Sequence, residues 1–148
     1  MKLDDALRGV SRLGLDTAPF IYLVERHPDY GEICLEVVQR MATGRMAGAT
    51  STITLGEVLV QPIRRGDVLL QRRFTNVLLH GIGFRMYPVD ATSATLAANL
   101  RAAYGLHLAD ACQLAVAMRQ QCEAFLTNDR RLARVTETRV LVLDDLEL

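Results

Sequence analysis

Short apolar runs alternate with longer amphipathic stretches along this chain. Runs of strand length lie at about residues 11–16, 46–50, 84–90 and 123–129, and RVLVLDDL near the C-terminus predicts a last strand. Between them, apolar residues recur at helical spacing, as they do from Tyr30 to Thr43. Strands that alternate with helices in this way are typical of an α/β fold with a parallel central sheet.

The predicted helices begin and end at residues that favour helix termini. Pro19 suits a first helical turn, Gly44 suits a helix end, and Ser51 and Thr52 suit the start of the helix that contains Glu57. Further helices are predicted over residues 67–80, 91–104 and about 109–121, with a polar break at 64–66 and a short helix after residue 129.

The length and composition predict one ordinary globular domain over residues 1–148. The chain has 148 residues, of which 50% are apolar and 23% charged, and residues 1–11 form an N-terminal extension ahead of the first strand. This composition excludes intrinsic disorder. No apolar run approaches the length of a membrane span, and the N-terminus lacks the apolar core of a signal peptide, so no membrane association is expected.

The cysteine and histidine pattern argues against disulfide and zinc chemistry. Cys34, Cys112 and Cys122 are odd in number and widely spaced within apolar stretches, which predicts reduced core residues of a cytoplasmic protein. The three histidines lack the spacing of zinc ligands. They are His27, His80 and His107.

The charge balance excludes a global electrostatic attraction to nucleic acid. Basic and acidic residues number 17 each, so any contact with a polyanion must be local. Candidate cations for such contacts are Arg64, Arg65, Arg72, Arg73, Arg130, Arg131 and Arg134. Solvated helix-face charges are the simpler explanation for each pair. Arg130 is favoured among them because it directly follows Asp129.

Two acids follow predicted strands directly. Asp16 ends the run SRLGLD, and Asp129 ends EAFLTND. If the sheet has the order 3-2-1-4-5, these two strand ends are neighbours at the topological switch point, where open α/β sheets bind ligands. Unshielded carboxylates one strand spacing apart raise a pKa or recruit a cation. A hard divalent ion is the simplest expectation.

Two further acids have settings that point toward the same edge. Glu57 lies among apolar neighbours in ITLGEVLV, which predicts a carboxylate that is buried or at the rim of a cleft, and Asp110 lies in the first turn of its helix. Each acid taken alone has a simpler explanation as a cap, a turn residue or an ion-pair partner, with Arg64 or Arg101 available for Glu57. Only the combination favours a shared site.

At this point the sequence resembles the PIN-domain nucleases, and within them the toxin ribonucleases of the VapC type. The resemblance spans about residues 12–146 and is carried by LDTAPFIYLVE, STITLGEVLV and RAAYGLHLADACQLAVAMRQQCEAFLTNDRRL. The family's acidic positions correspond to Asp16, Glu57, Asp110 and Asp129, and its small polar partners to Thr17 and Asn128. A further acid found in some members is replaced here by the loop GLHLA. The resemblance therefore does not decide whether there is a second metal site.

The resemblance implies a fold and an activity. It implies a three-layer α/β/α sandwich with a parallel sheet in the order 3-2-1-4-5, and a Mg²⁺- or Mn²⁺-dependent endoribonuclease. Asp16, Asp110 and Asp129 would hold the metal, and Glu57 would complete the site, while Thr17 and Asn128 would orient carboxylates and phosphate oxygens. The implied partners are RNA, a cognate antitoxin and a second copy of the chain.

Two alternative functions are weighed against this one. A phosphoacceptor domain of the response-regulator kind requires an acidic pair after the first strand and a late lysine, but LGLDT carries one acid and Lys2 is the only lysine. A catalytically silent or housekeeping PIN domain, acting in RNA processing or as a protein-binding module, is disfavoured by the complete set of four acids.

Overall fold

A computed structural model describes all residues, 1–148, as a five-stranded sheet with helices on both faces. The strands are β1 (Arg12–Leu15), β2 (Ala47–Ser51), β3 (Phe84–Tyr87), β4 (Ala124–Thr127) and β5 (Arg139–Val142). The helices are α1 (Leu3–Ala6), α2 (Thr17–Val24), α3 (Gly31–Ala42), α4 (Thr52–Arg65), α5 (Val68–His80), α6 (Ala91–Tyr104) and α7 (Leu108–Arg119), with 3-10 helices at Arg130–Arg134 and Leu143–Asp145.

The sheet is entirely parallel and has the order β3-β2-β1-β4-β5. The predicted order 3-2-1-4-5 and the three-layer α/β/α architecture are therefore confirmed. In β1, Gly14 pairs with Ala49 of β2 on one side and with Phe125 of β4 on the other. The reversal of strand order on the two sides of β1 makes its carboxyl end the switch point of the sheet.

Alternate residues of the strands supply two separate cores. Leu13 and Leu15 of β1 join the core formed with α1, α2, α3 and α5, whereas Phe125 of β4 joins the core formed with α6 and α7. Gly14, between Leu13 and Leu15 in β1, lies against α7. An added Cβ would come within 2.6 Å of the Ala117 Cβ. A glycine is therefore required for α7 to pack closely against β1.

Strand ends pass directly into capped helices at the carboxyl edge of the sheet. Asp16 caps α2 by accepting a hydrogen bond from the backbone N–H of Thr17 at 2.8 Å, and the Ser51 hydroxyl oxygen caps α4 by accepting from Ile53 N–H at 3.2 Å. The predicted break at 64–66 begins too early, because Arg64 and Arg65 form the last turn of α4 and Gly66 ends it with a φ of 65°.

The N-terminal extension packs onto the domain. Leu3, Ala6 and Leu7 are buried in the first core, and Leu3 N–H donates to the Glu147 carbonyl oxygen at 2.8 Å. The extension thus joins the two ends of the chain. All three cysteines are free and buried, as predicted, and no helix is both long and apolar enough to cross a bilayer.

Candidate active site

The four predicted acids lie on the elements that meet at the carboxyl edge of β1 and β4. Asp16 directly follows β1, Asp129 lies two residues beyond the end of β4, Asp110 is in the first turn of α7, and Glu57 is in the second turn of α4. Asp16 N–H donates to the Leu126 carbonyl oxygen at 3.0 Å, which ties the first acid to the neighbouring strand.

Asp16 is a buried carboxylate without a cationic partner. Only 8% of the residue is exposed, and its two oxygens accept hydrogen bonds from Thr17 N–H at 2.8 Å and from the Thr127 hydroxyl at 2.6 Å. Burial raises the pKa of Asp16 to about 6, against the opposing effect of these two hydrogen bonds. A nearby cation would stabilise its ionised form.

Glu57 is exposed at the rim of this edge, one of the two settings that its sequence context predicted. The Thr17 hydroxyl donates to its Oε1 at 2.6 Å. Neither candidate arginine pairs with it, since Arg64 makes no ion pair and Arg101 donates to the Leu106 carbonyl oxygen at 2.6 Å. Glu57 therefore has no cationic partner within the chain.

Asp110 is half-buried, and its pKa is raised above the ordinary range. Burial is the largest cause, followed by the negative charges of Asp129 and Glu57, while Arg131 and His107 act in the opposite direction. The two acidic causes indicate that the three carboxylates share one electrostatic environment.

Asp129 differs from the other acids because a cation neutralises it. The Arg131 guanidinium donates to both carboxylate oxygens, with Nε at 2.9 Å from Oδ1 and Nη2 at 2.6 Å from Oδ2. These bonds hold the pKa of Asp129 below its ordinary value. Asp129 also caps the following 3-10 helix through Arg131 N–H at 2.9 Å.

Of the two predicted polar partners, the structure brings only Thr17 to the carboxylates. Asn128 instead contacts Tyr22 and the C-terminal segment. Its Nδ2 donates to the Tyr22 hydroxyl at 3.3 Å, and its Oδ1 accepts from Asp144 N–H at 3.2 Å. The side chain of Asn128 thus anchors the turn that carries Asp129.

Only one of the predicted cations contacts the acids. Arg131 binds Asp129, whereas Arg130 forms a two-pronged ion pair with Asp145 at 2.9 and 3.1 Å. Arg64 and Arg65 are exposed in the last turn of α4 and form no ion pair.

Two further polar residues of the site, Thr127 and Gln113, were not predicted from the sequence. Thr127 is fully buried, donates to Asp16 and accepts from Asp129 N–H at 3.0 Å, so one hydroxyl connects two acids. Gln113 is the buried amide of α7 and contacts Thr17 and Thr54. Gln113 is a single polar residue within an apolar run, and that pattern is a signal for a polar contact in the core, whereas Thr127 is the last residue of the buried strand β4.

The donor set suits a hard divalent cation, although the side chains do not stand as a closed ligand shell. All candidate donors are carboxylate oxygens, which Mg²⁺ and Mn²⁺ prefer, and burial and mutual repulsion raise the pKa of both Asp16 and Asp110. No three acidic, histidine or cysteine side chains converge on one point. Asp129 is turned toward Arg131 instead.

Several solved structures have a fold similar to that of this chain. A VapBC2 complex from Rickettsia felis, bound to a promoter DNA fragment, has a TM-score of 0.69 and 16% identity, covering 88% of this chain and 98% of that one. A toxin–antitoxin complex from Klebsiella pneumoniae has a TM-score of 0.67 and 24% identity, covering 90% and 98%. At these identities the likeness establishes the fold.

A third solved structure is VapC20 of Mycobacterium tuberculosis, described as a sarcin-ricin loop cleaving toxin. Its TM-score is 0.65 and its identity 19%, covering 87% of this chain and 99% of that one.

No curated protein sequence matches the chain significantly. The family model of the PIN domain matches residues 14–138, a range that contains all four acids. The chain therefore belongs to the PIN-domain family.

Proposed function

We propose that this protein is a metal-dependent endoribonuclease whose catalytic site is formed by Asp16, Glu57, Asp110 and Asp129. The observation that supports this most directly is Asp16, a carboxylate that is 8% exposed and has other carboxylates, rather than cations, as its charged neighbours. A protein that used Asp16 only as a helix cap would gain nothing from placing the carboxylates of Asp110 and Glu57 near enough to raise its pKa. Buried acids with perturbed pKa values at a sheet edge are typical of functional sites.

Mg²⁺ or Mn²⁺ is the proposed cofactor. Asp16, Asp110 and Asp129 would hold it, and Glu57 would complete the site through a water or orient the attacking water. When bound, such an ion acidifies a water and stabilises the charge that develops on the scissile phosphate. The Arg131 side chain is 64% exposed, so it has room to turn toward solvent and leave Asp129 free.

The other residues of the edge would orient these groups. Thr127 holds the Asp16 carboxylate and Thr17 holds Glu57 by hydroxyl hydrogen bonds of 2.6 Å each. Asn128 would act indirectly by fixing the turn before Asp129. Orienting bonds of this kind typically change activity by about 10- to 100-fold when they are lost.

RNA is the proposed substrate, and local cations would bind its phosphates. Arg131 stands beside the acids, Arg130 follows Asp129, and Arg64 and Arg65 extend the exposed end of α4. Because the formal net charge of the chain is zero, binding would depend on these few contacts and would weaken as salt rises.

We further propose that the protein is a cytoplasmic toxin of a toxin–antitoxin pair, inhibited by a cognate antitoxin and forming a homodimer. The support is the family membership together with the resemblance of the motifs to VapC-type toxins. On α4, Val58 is buried, and Leu55 and Leu59 pack partly against the core. The exposed apolar residues nearby, Ile63 and Leu69, are better candidates for a contact between chains.

An RNA cleavage assay tests the enzymatic proposal. Purified wild type should cleave RNA with Mg²⁺ or Mn²⁺ and lose activity in EDTA, and Asp16→Asn and Asp129→Asn should each lose at least about 100-fold of the rate. Arg139→Ala, at the start of β5, is a control outside the site. Cleavage that is equal in all variants or insensitive to EDTA would contradict the proposal.

Growth of a host strain tests the toxin proposal separately. Expression of the wild type alone should arrest growth, Asp16→Asn should relieve the arrest at the same protein level, and co-expression of the antitoxin should also relieve it. RNA cleavage in vitro without growth arrest would indicate a housekeeping PIN nuclease. Absence of both would favour the silent, protein-binding alternative.

A further inference from the structure

A buried glutamine lies directly behind the acidic edge. Gln113 is 2% exposed, and its neighbours on the buried part of α7 are three alanines, a cysteine, a leucine and a valine. Burying an amide among such residues is unfavourable unless its hydrogen bonds are satisfied, whereas a leucine would pack there without this requirement. The glutamine therefore calls for an explanation in terms of its polar contacts.

Every polar atom of the Gln113 side chain is used. Its Nε2 has two protons and donates to the Thr54 hydroxyl oxygen at 2.6 Å and to the Thr17 hydroxyl oxygen at 3.1 Å, while its Oε1 accepts from the Ser51 hydroxyl. Ser51, Thr54 and Thr17 are themselves 0%, 0% and 9% exposed. Water does not compete for these bonds.

The Ser51 cap fixes which way round the amide lies. The Ser51 oxygen accepts from Ile53 N–H at 3.2 Å as the cap of α4, and its single proton then points to Gln113 Oε1. With Oε1 on that side, both Nε2 protons must point to Thr17 and Thr54. A helix cap on α4 thereby sets the orientation of a side chain on α7.

The amide in turn fixes the proton of Thr17. Because the Thr17 oxygen receives a proton from Gln113, the hydroxyl proton is directed to Glu57 Oε1, 2.6 Å away. With the amide reversed, Gln113 would present an oxygen to Thr17 and attract that proton. Glu57 would then face a lone pair and lose its hydrogen bond.

We infer that Gln113 is a positioning residue, which directs the Thr17 hydroxyl so that it holds the exposed Glu57 carboxylate toward the acidic edge. The inference deepens the proposed nuclease function and rests on it for the consequence in catalysis. The contacts themselves are independent of any activity. Gln113 touches neither the acids nor a substrate, so its effect must pass through Thr17.

Side-chain amide NMR of the metal-free protein tests the contacts. Both Gln113 Nε2 protons should exchange with solvent at least about tenfold more slowly than those of the exposed Gln39 and Gln61. Thr17→Val should shift one of the two Gln113 proton resonances and leave the other in place. Exchange as fast as in Gln39, or no shift in Thr17→Val, would overturn the inference whether or not the protein is a nuclease.

A double-mutant cycle tests the consequence. Gln113→Met and Thr17→Val should each lower kcat and weaken Mn²⁺ affinity by about tenfold, with the RNA KM changed less than about twofold. If Gln113 acts through Thr17, the double variant should match Thr17→Val alone within about twofold. Losses that multiply in the double variant, or a Gln113→Met protein that equals the wild type, would overturn the inference.

Two further variants separate positioning from stability. Ser93→Ala removes a buried hydroxyl of α6 that contacts Arg119 at 3.1 Å, away from the acids, and should leave kcat unchanged even if the melting temperature falls. If Gln113→Met does not fold, Gln113→Glu replaces it, since it keeps the side-chain shape but offers Thr17 no amide proton. A wild type that neither binds Mn²⁺ nor cleaves RNA contradicts the proposed function, and the NMR result then decides the positioning inference alone.

Discussion

Asp16 and Asp129 occupy equivalent places at neighbouring strand ends, yet their environments are opposite. Each caps the helix that follows its strand, and Thr127 contacts both. Asp16 is 8% exposed with only uncharged partners, and its burial raises its pKa to about 6. Asp129 has a side chain that is 25% exposed and paired with Arg131, which lowers its pKa.

The comparison shows that one edge of the sheet can hold one carboxylate without a cationic partner and another that is already neutralised. Burial leaves Asp16 short of positive charge, so an added cation would stabilise it. Asp129 already has a cation, which an added one must displace. The favourable free energy of metal binding would therefore come mainly from Asp16, and the ion pair of Asp129 with Arg131 would reduce it.

The largest expected effect is an increase in stability on removing the Asp16 charge. The folded pKa of about 6 lies above the value of 3.8 for a free carboxyl, so the folded state holds its proton more tightly and stability falls as pH rises between those values. In EDTA at pH 7.5, Asp16→Asn should be more stable than wild type by about 2 kcal/mol.

Urea unfolding at several pH values measures this. The gain should shrink to nothing below about pH 4, where Asp16 is protonated in both states. Asp129→Asn is the matched comparison and should give no gain, because its ionised form is favoured in the folded state. A stabilised Asp129→Asn, or a destabilised Asp16→Asn at pH 7.5, would reverse the contrast between the two ends.

The next effect is on metal affinity as a function of pH. With a pKa of about 6, Asp16 is mostly ionised at pH 7 and mostly protonated at pH 5, so the Kd for Mn²⁺ should rise about tenfold between them. Calorimetric titration measures the change. An affinity that is flat over this range, with metal binding intact, would show that Asp16 does not supply the charge.

A smaller effect is expected from removing the cation at the other end. Arg131→Ala frees Asp129 and should tighten Mn²⁺ binding by up to about fivefold, the scale of an exposed ion pair. Arg130→Ala is the matched control, because Arg130 is about as exposed as Arg131 and pairs with Asp145 instead, so its loss should leave metal affinity unchanged. Weaker Mn²⁺ binding in Arg131→Ala would mean that the arginine supports the site.

The smallest effect concerns the two cations that lie outside the acid cluster. Arg64→Ala and Arg65→Ala should each raise the KM for RNA by about twofold. The variant with both replacements should also show a weaker dependence of KM on salt, with kcat and metal affinity unchanged. A salt series of cleavage rates measures this. An unchanged KM at low salt would limit the RNA-binding surface to the arginines near Asp129.

Local patterns predicted the parallel sheet and the edge that carries the acids, and the family resemblance implied the strand order. Alternating strands and helices imply parallel pairing, and parallel strands bring Asp16 and Asp129 to one edge. The error at Arg64 and Arg65 was also local, since polar residues are as favourable in a last helical turn as in a break. Gly66, two residues later, marks the true end.

The polar contacts behind the site were beyond the reach of spacing alone. Gln113 and Ser51 are 62 residues apart in sequence, and Thr127 and Asp16 are 111 apart. A polar residue in an apolar run signals that some partner exists, but any of several strands or helices can supply it. Only packing decides which one.

By itself, the sequence predicted the fold class from hydrophobic periodicity and placed Asp16, Asp110 and Asp129 at strand ends or a helix start, because periodicity and cap chemistry act over a few residues. The strand order and the inclusion of Glu57 came from the family resemblance. The tertiary structure decided their electrostatic states: it buried Asp16 and paired Asp129 with Arg131. It also directed the Asn128 side chain away from the acids and joined Gln113 to Thr17. Burial and hydrogen-bond direction arise where distant segments meet, so no local pattern encodes them.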